Sequence, residues 1–129
     1  MVIGTGIDII EIDRFRNQSD ERRFIAEFLT ETELQNAPGG VSRARYYATL
    51  FALKEATLKA LRCGLHDGFL WHDVHVGADG ATALSGLPAS LASQLSVTSI
   101  HSSHSCSKDR VVAIVLLAND QQEEPHEQL

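Results

Sequence analysis

Cysteine, positive charge and long apolar runs are all scarce in this chain, and each scarcity narrows what it can be. Cys63 and Cys106 are its two cysteines. They admit one disulfide at most, and with no other mark of an oxidising compartment two free thiols are expected. Lys and Arg number 11 against 17 Asp and Glu, a formal net charge of −6, which argues against holding a nucleic-acid backbone by bulk charge. No apolar stretch approaches the roughly 20 residues needed to cross a bilayer, and Met1-Val2-Ile3-Gly4 lacks a basic segment ahead of an apolar one. A cytoplasmic protein with no membrane or nucleic-acid partner is expected. Apolar residues make up 43% of the 129 and charged residues 22%, far from collagen-like or disordered composition and suited to one packed domain. The charge is uneven: Arg14, Arg16, Arg22 and Arg23 cluster near the start, while Glu123, Glu124 and Glu127 crowd the tail, so an acidic partner could dock near the start.

The pattern predicts a first strand over Val2–Ile10, rich in Ile and Val, with Asp8 inside it. An ionised carboxylate there is costly unless it faces solvent, a cation or a metal. Between Glu11 and Phe28 the spacing of Ile12, Phe15, Phe24, Ile25 and Phe28 predicts two short helices broken at Asn17–Asp20. Thr30-Glu31-Thr32-Glu33 has the capping-box spacing and starts another, which Pro38-Gly39-Gly40 ends. The longest helical signal runs from Ser42 to Arg62 and is closed by Gly64. Tyr47, Leu50, Phe51, Leu58 and Leu61 mark one apolar face of it, with Glu55 projecting from the middle of that stripe. Downstream, Phe69–Gly77 reads as a strand, Ala78-Asp79-Gly80 as a turn, Thr82–Ser85 as a returning strand and Pro88–Leu95 as a short helix. Val97–Ser105 and Arg110–Ala118 read as a closing pair of strands. The polar tail, residues 119–129, has little to bury and is expected to be disordered, leaving 1–118 as the domain.

Two isolated acids carry the first chemical reading. Glu55 has a bland explanation, an intrahelical pair with Lys59 four residues on, worth about 0.3–0.5 kcal/mol. Asp8, in a strand expected to pack under the same helix, points instead to a pair of carboxylates held together by a hard divalent ion such as Mg²⁺. The histidines offer a rival, zinc. Strand alternation puts His72 opposite His75 and His101 opposite His104, leaving only His104 and Cys106 on one face, too few for a structural zinc site. A Cys106–His104 nucleophile lacks any sign of an oxyanion hole. Gly4-Thr5-Gly6 lies inside a strand, the wrong context for a phosphate-cradling loop.

Taken in order, four segments resemble the holo-(acyl carrier protein) synthase family of 4′-phosphopantetheinyl transferases. They are Gly6-Ile7-Asp8 continuing to Arg14-Phe15, Phe28-Leu29-Thr30-Glu31-Thr32-Glu33-Leu34, Phe51-Ala52-Leu53-Lys54-Glu55-Ala56 followed by Lys59-Ala60-Leu61, and Trp71–Val76 with Leu84-Ser85-Gly86. The resemblance implies an α+β fold, one long helix packed on a small, mainly antiparallel sheet, assembled as a homotrimer with active sites between subunits. It implies transfer of the phosphopantetheine arm of coenzyme A to a serine of an acyl carrier protein, releasing adenosine 3′,5′-bisphosphate. By position Asp8 and Glu55 match the family's magnesium ligands. Glu55 is the candidate to accept the serine proton, and Lys59 to neutralise pyrophosphate. Lys54, Lys59, Arg62, His101 and Ser103 fall at the coenzyme, and Arg14, Arg22 and Arg23 at the carrier-docking surface.

Three positions depart from the family. Leu50 stands where an arginine usually precedes the long motif, Arg62-Cys63-Gly64 replaces a G-x-G, and Cys106 replaces a histidine. A second register would put His104 at that last histidine, but it would lose His101 as the first and need an insertion before Val112, so the gapless register is preferred. Two other readings stay open: a non-catalytic relative that binds carrier or coenzyme, suggested by Leu50 and Cys106, and a zinc hydrolase using His104 and Cys106.

Overall fold

The structure is a computed structural model that describes residues 1–16, 21–64 and 67–121, without the side chains of residues 21 and 22. The expected break at Asn17–Asp20, the side chain of Arg22 and the tail from residue 122 onward lie outside the described residues. Strand β1 (Val2–Glu11) leads through a 3₁₀ turn, Ile12–Phe15, to α1 (Glu21–Phe28), α2 (Glu31–Gln35) and the central α3 (Ser42–Ala60). Then follow β2 (Val74–Val76), β3 (Thr82–Leu84), α4 (Gly86–Gln94), β4 (Ser99–Cys106) and β5 (Arg110–Ala118). One sheet has the order β1-β5-β4, antiparallel throughout, and β2-β3 forms a separate hairpin. The architecture is the expected α+β arrangement. Among the described residues no helix is long and apolar enough to cross a membrane.

The sheet lies close against α3 because both surfaces are stripped of side-chain bulk. Ala48, Ala52, Ala56 and Ala60 recur every fourth residue, which is one stripe of a helix, and all four are buried. Opposite them, a Cβ at Gly6 would overlap the Ala56 carbonyl oxygen, and one at Gly4 would stand 2.5 Å from that of Ala60. The Gly4-Thr5-Gly6 segment is therefore a packing device. The other flank of α3 meets an aromatic cluster in which Phe51 packs 5.4 Å from Phe28, 5.8 Å from Phe24 and 5.3 Å from Trp71. With apolar material on both sides, α3 is buried on far more than the single expected face; Leu53, Lys54 and Thr57 are buried as well.

Two local expectations need correction. Phe69–Gly77 is not one strand: Trp71–Asp73 forms a 3₁₀ turn and only Val74–Val76 is extended. Asp73 causes this, its carboxylate accepting from Leu70 N at 2.9 Å while its own amide donates to the Leu70 carbonyl at 2.9 Å. His72 consequently leaves the strand, and its Nε2 lies 2.9 Å from the Ala26 carbonyl. The helix expected from Pro88 begins at Gly86, whose φ of +56° and closeness to the Asp73 carboxylate leave no room for a side chain.

Candidate active site

Two residues along a strand advance about 6.8 Å and four along a helix about 6 Å, so β1 and α3 stay in step once the glycines bring them together. Asp8 follows Gly4 and Gly6 on the same face and is delivered to the α3 side, with its side chain only 12% exposed. Lys59 Nζ donates to Asp8 Oδ1 at 2.8 Å and to the Ile7 carbonyl at 3.2 Å. Asp8 Oδ2 is buried and has no hydrogen-bond partner among the described residues. Glu55, half-buried, lies within electrostatic reach. Burial first and the Asp8 charge second raise its pKa above the ordinary glutamate value, while Lys59 and Arg14 act the other way. Arg14 reaches in from the turn after β1, with its guanidinium carbon 4.7 Å from the Phe51 ring centre.

This donor set suits a hard cation. A buried carboxylate oxygen without a donor, beside a second carboxylate that it repels, is relieved by a divalent ion. Among the described residues no group of three or more His, Cys, Asp and Glu could hold a metal. Two protein carboxylates match Mg²⁺, which keeps water or phosphate oxygens as its other ligands, and do not match a closed zinc site. His104 and Cys106 do share a face, as their pairing with Ala113 and Val111 shows, but both are exposed and no third ligand joins them among the described residues.

A cavity of about 210 Å³ adjoins these groups, lined by Glu55, Leu58, Lys59, Cys63, Gly64, Phe69 and Trp71. Burial, then the nearby Asp67 and Asp73, push the Cys63 thiol up, so it stays protonated at neutral pH. Both cysteines are free thiols. Arg62, at the edge of this region, is exposed and holds φ +57°, a conformation that favours glycine.

The remaining expected residues separate. Lys54 does not face a coenzyme: it is fully buried, pairs with the equally buried Glu33 at 2.9 Å, and donates to the carbonyls of Trp71 and Val74. Burial pushes its pKa down, against the opposing pull of Glu33. Its neighbour Glu55 escapes burial because it is one helical step, about 100°, further round. His101 and Ser103 pair with Leu116 and Ile114 and so project from the outer face of the sheet, away from α3. The residues that alternate with them, Ser102 and His104, instead line a second cavity of about 460 Å³ with Arg45, Tyr46 and Leu50 of α3 and the Gly77–Gly80 turn. Sequence reasoning missed Arg45, Tyr46 and Ser102 there. The available signal was parity, since matching β4 to the buried Val111, Ala113 and Val115 of β5 assigns Ser102 and His104 to the inner face. Arg23 on α1 is exposed, as is Arg14.

Comparison with known proteins gives one answer. Residues 4–115 match the family described as the 4′-phosphopantetheinyl transferase superfamily. Holo-[acyl-carrier-protein] synthase of Geobacter sulfurreducens is 37% identical over 123 residues, covering 91% of this chain and 98% of that protein. The enzyme of the same name from Halalkalibacterium halodurans is 40% identical over 121 residues, covering 91% and 96%. Among solved structures, a holo-(acyl-carrier-protein) synthase from Bacillus anthracis in complex with CoA (3′,5′-ADP) superimposes with a TM-score of 0.73 at 31% identity, covering 92% of this chain and 98% of that one. That from Neisseria meningitidis gives 0.76 at 27% identity, covering 92% and 100%. With the ordered motifs, the paired carboxylates and the fold all in agreement, the chain belongs to the 4′-phosphopantetheinyl transferase superfamily.

Proposed function

We propose that the protein is a holo-[acyl-carrier-protein] synthase, moving the 4′-phosphopantetheine arm of coenzyme A onto a serine of an acyl carrier protein. The observation that carries this reading is that Asp8 of β1 is brought against Glu55 and Lys59 of α3, with Lys59 on Asp8 Oδ1 and the buried Asp8 Oδ2 left without a hydrogen-bond partner among the described residues. Asp8 and Glu55 would hold Mg²⁺, which when bound shields the pyrophosphate and stabilises the charge on the departing phosphate. Lys59 neutralises the pyrophosphate. Glu55, directly or through a bound water, accepts the proton of the attacking serine. A bond forms between the serine oxygen and the phosphorus that bears the pantetheine arm, the pyrophosphate bridge breaks, and adenosine 3′,5′-bisphosphate leaves. Arg14, Arg22 and Arg23 supply the positive surface for an acidic carrier helix, which fits a local basic patch on an acidic chain. Arg62 adds charge at the edge of the coenzyme site.

The cavity of Arg45, Ser102 and His104 fits the charged nucleotide end of the coenzyme better than the outward-facing His101 and Ser103. Its helical wall, Ser42, Arg45, Tyr46 and Thr49, lies on the side of α3 opposite Glu55 and Lys59. Two copies in contact would let a single coenzyme reach one cavity of each. The outer face of the sheet supports such an assembly. Ile7, Ile9 and Ile114 are 56%, 61% and 47% exposed there, an apolar patch of the kind that marks an interaction surface. A cytoplasmic homotrimer is the proposed form.

Incubation with coenzyme A, Mg²⁺ and an apo carrier protein tests the reaction by a mass gain on the carrier. One observation favours a second reading, a relative that binds without transfer. Leu50, where the family usually has an arginine, is 5% exposed and gives the nucleotide cavity an apolar wall. Coenzyme binding with no mass gain on several carriers would establish that reading.

A further inference from the structure

Lys59 is attached twice to the strand that carries Asp8, through Asp8 Oδ1 at 2.8 Å and the Ile7 carbonyl at 3.2 Å. Among the described residues no other cation comes within 4.0 Å of Asp8. Arg14 acts on Glu55 but stands over the Phe51 ring. The Lys59 side chain is 53% exposed whereas that of Asp8 is 12% exposed, so the lysine end of the pair is the one with room to move. An ammonium and a divalent ion on one small carboxylate are like charges and repel. A diphosphate offers the ammonium a more highly charged partner on the solvent side.

We propose that Lys59 is the internal counter-ion of Asp8 and shifts onto the diphosphate of the coenzyme when that arrives, so that coenzyme and divalent metal bind cooperatively. The inference rests on the transferase reading and adds a coupling between its two ligands. Metal binding to the protein alone works against the Asp8–Lys59 pair; once a diphosphate holds Lys59, that opposition is gone. By linkage the metal raises coenzyme affinity by the same factor.

The test is Mn²⁺ binding followed by electron paramagnetic resonance, with and without coenzyme A and with no carrier protein, so that nothing turns over. Lys59→Met is expected to bind Mn²⁺ about tenfold more tightly than wild type in the absence of coenzyme, the scale of one charged hydrogen bond. Coenzyme A should raise wild-type Mn²⁺ affinity, and that enhancement should be about tenfold smaller in Lys59→Met. Arg14→Met, which removes a nearby cation that does not touch Asp8, should change Mn²⁺ affinity much less; equal tightening in both variants overturns the proposal. Loss of Mn²⁺ in Asp8→Asn together with unchanged affinity in Lys59→Met also overturns it while leaving the two-carboxylate site standing. Wild-type Mn²⁺ binding by Asp8→Asn would remove the metal site, and both readings with it.

Discussion

At the scale of single residues, the site trades stability for chemistry. Glu55 has a folded pKa above its unfolded value, so its contribution is most favourable at acid pH and declines as pH rises from the ordinary glutamate value of 4.5 toward the raised folded one. Glu55→Gln should therefore abolish transfer while melting higher than wild type at neutral pH. Thermal melts from acid to neutral pH should show the gap opening upward through the glutamate range. A gap that widens toward acid would contradict that sign. Arg62 holds φ +57°, a conformation that favours glycine, at a strain of about 1 kcal/mol. Arg62→Gly should gain roughly that much in denaturant unfolding and raise the KM for coenzyme A if its charge meets phosphate. An unchanged KM would assign Arg62 no part in coenzyme binding.

At the scale of elements, two devices aim α3. The first is the contact of Gly4 and Gly6 with the backbone of α3. Gly6→Ala must push β1 away from the helix, at a cost of about 1–3 kcal/mol or more, and carries Asp8 with it. Transfer should fall further than the melting point alone explains. The second is the buried Glu33–Lys54 pair. Glu33 also accepts from Thr30 N at 2.8 Å and Val76 N at 2.6 Å, so one carboxylate ties the start of α2, the middle of α3 and the β2 strand together. Lys54→Met should cost about 3–5 kcal/mol by leaving a buried charge uncompensated. Lys54→Met combined with Glu33→Gln should cost less than the sum of the two single changes, because the neutral amide removes that charge. Additive losses in a double-mutant cycle would refute the pairing.

At the scale of the whole molecule, the chain has two cavities on different sides of α3 and exposed Ile7, Ile9 and Ile114 on the outer face of the sheet, and the proposed homotrimer would join them. Light scattering should report about three times the 14.1 kDa chain mass. Ile9→Asp, a change at a 61% exposed position, should give a folded monomer with little transfer, since it removes no core contact. A fully active monomer would show that one chain completes the site by itself.

Most of the elements were legible because they are local. The capping box at Thr30–Glu33 is present in both directions, and β5 spans the expected residues, since periodicity and side-chain capping act over a few residues. Asp8 and Glu55 stood out because each interrupts an apolar pattern, a conflict visible without coordinates. Tertiary packing decided the rest. Lys54 and Glu55 are adjacent in sequence, yet one is sealed against Glu33 and the other opens onto a cavity, a difference set by what lies beside the helix. The choice between His101 and His104 likewise depended on which face of β4 meets the core, because alternation fixes that residues differ but only the partner strand fixes which of them turns inward. Sequence determined the elements and the chemistry available; the approach of strand to helix, made through missing side chains, decided which groups meet.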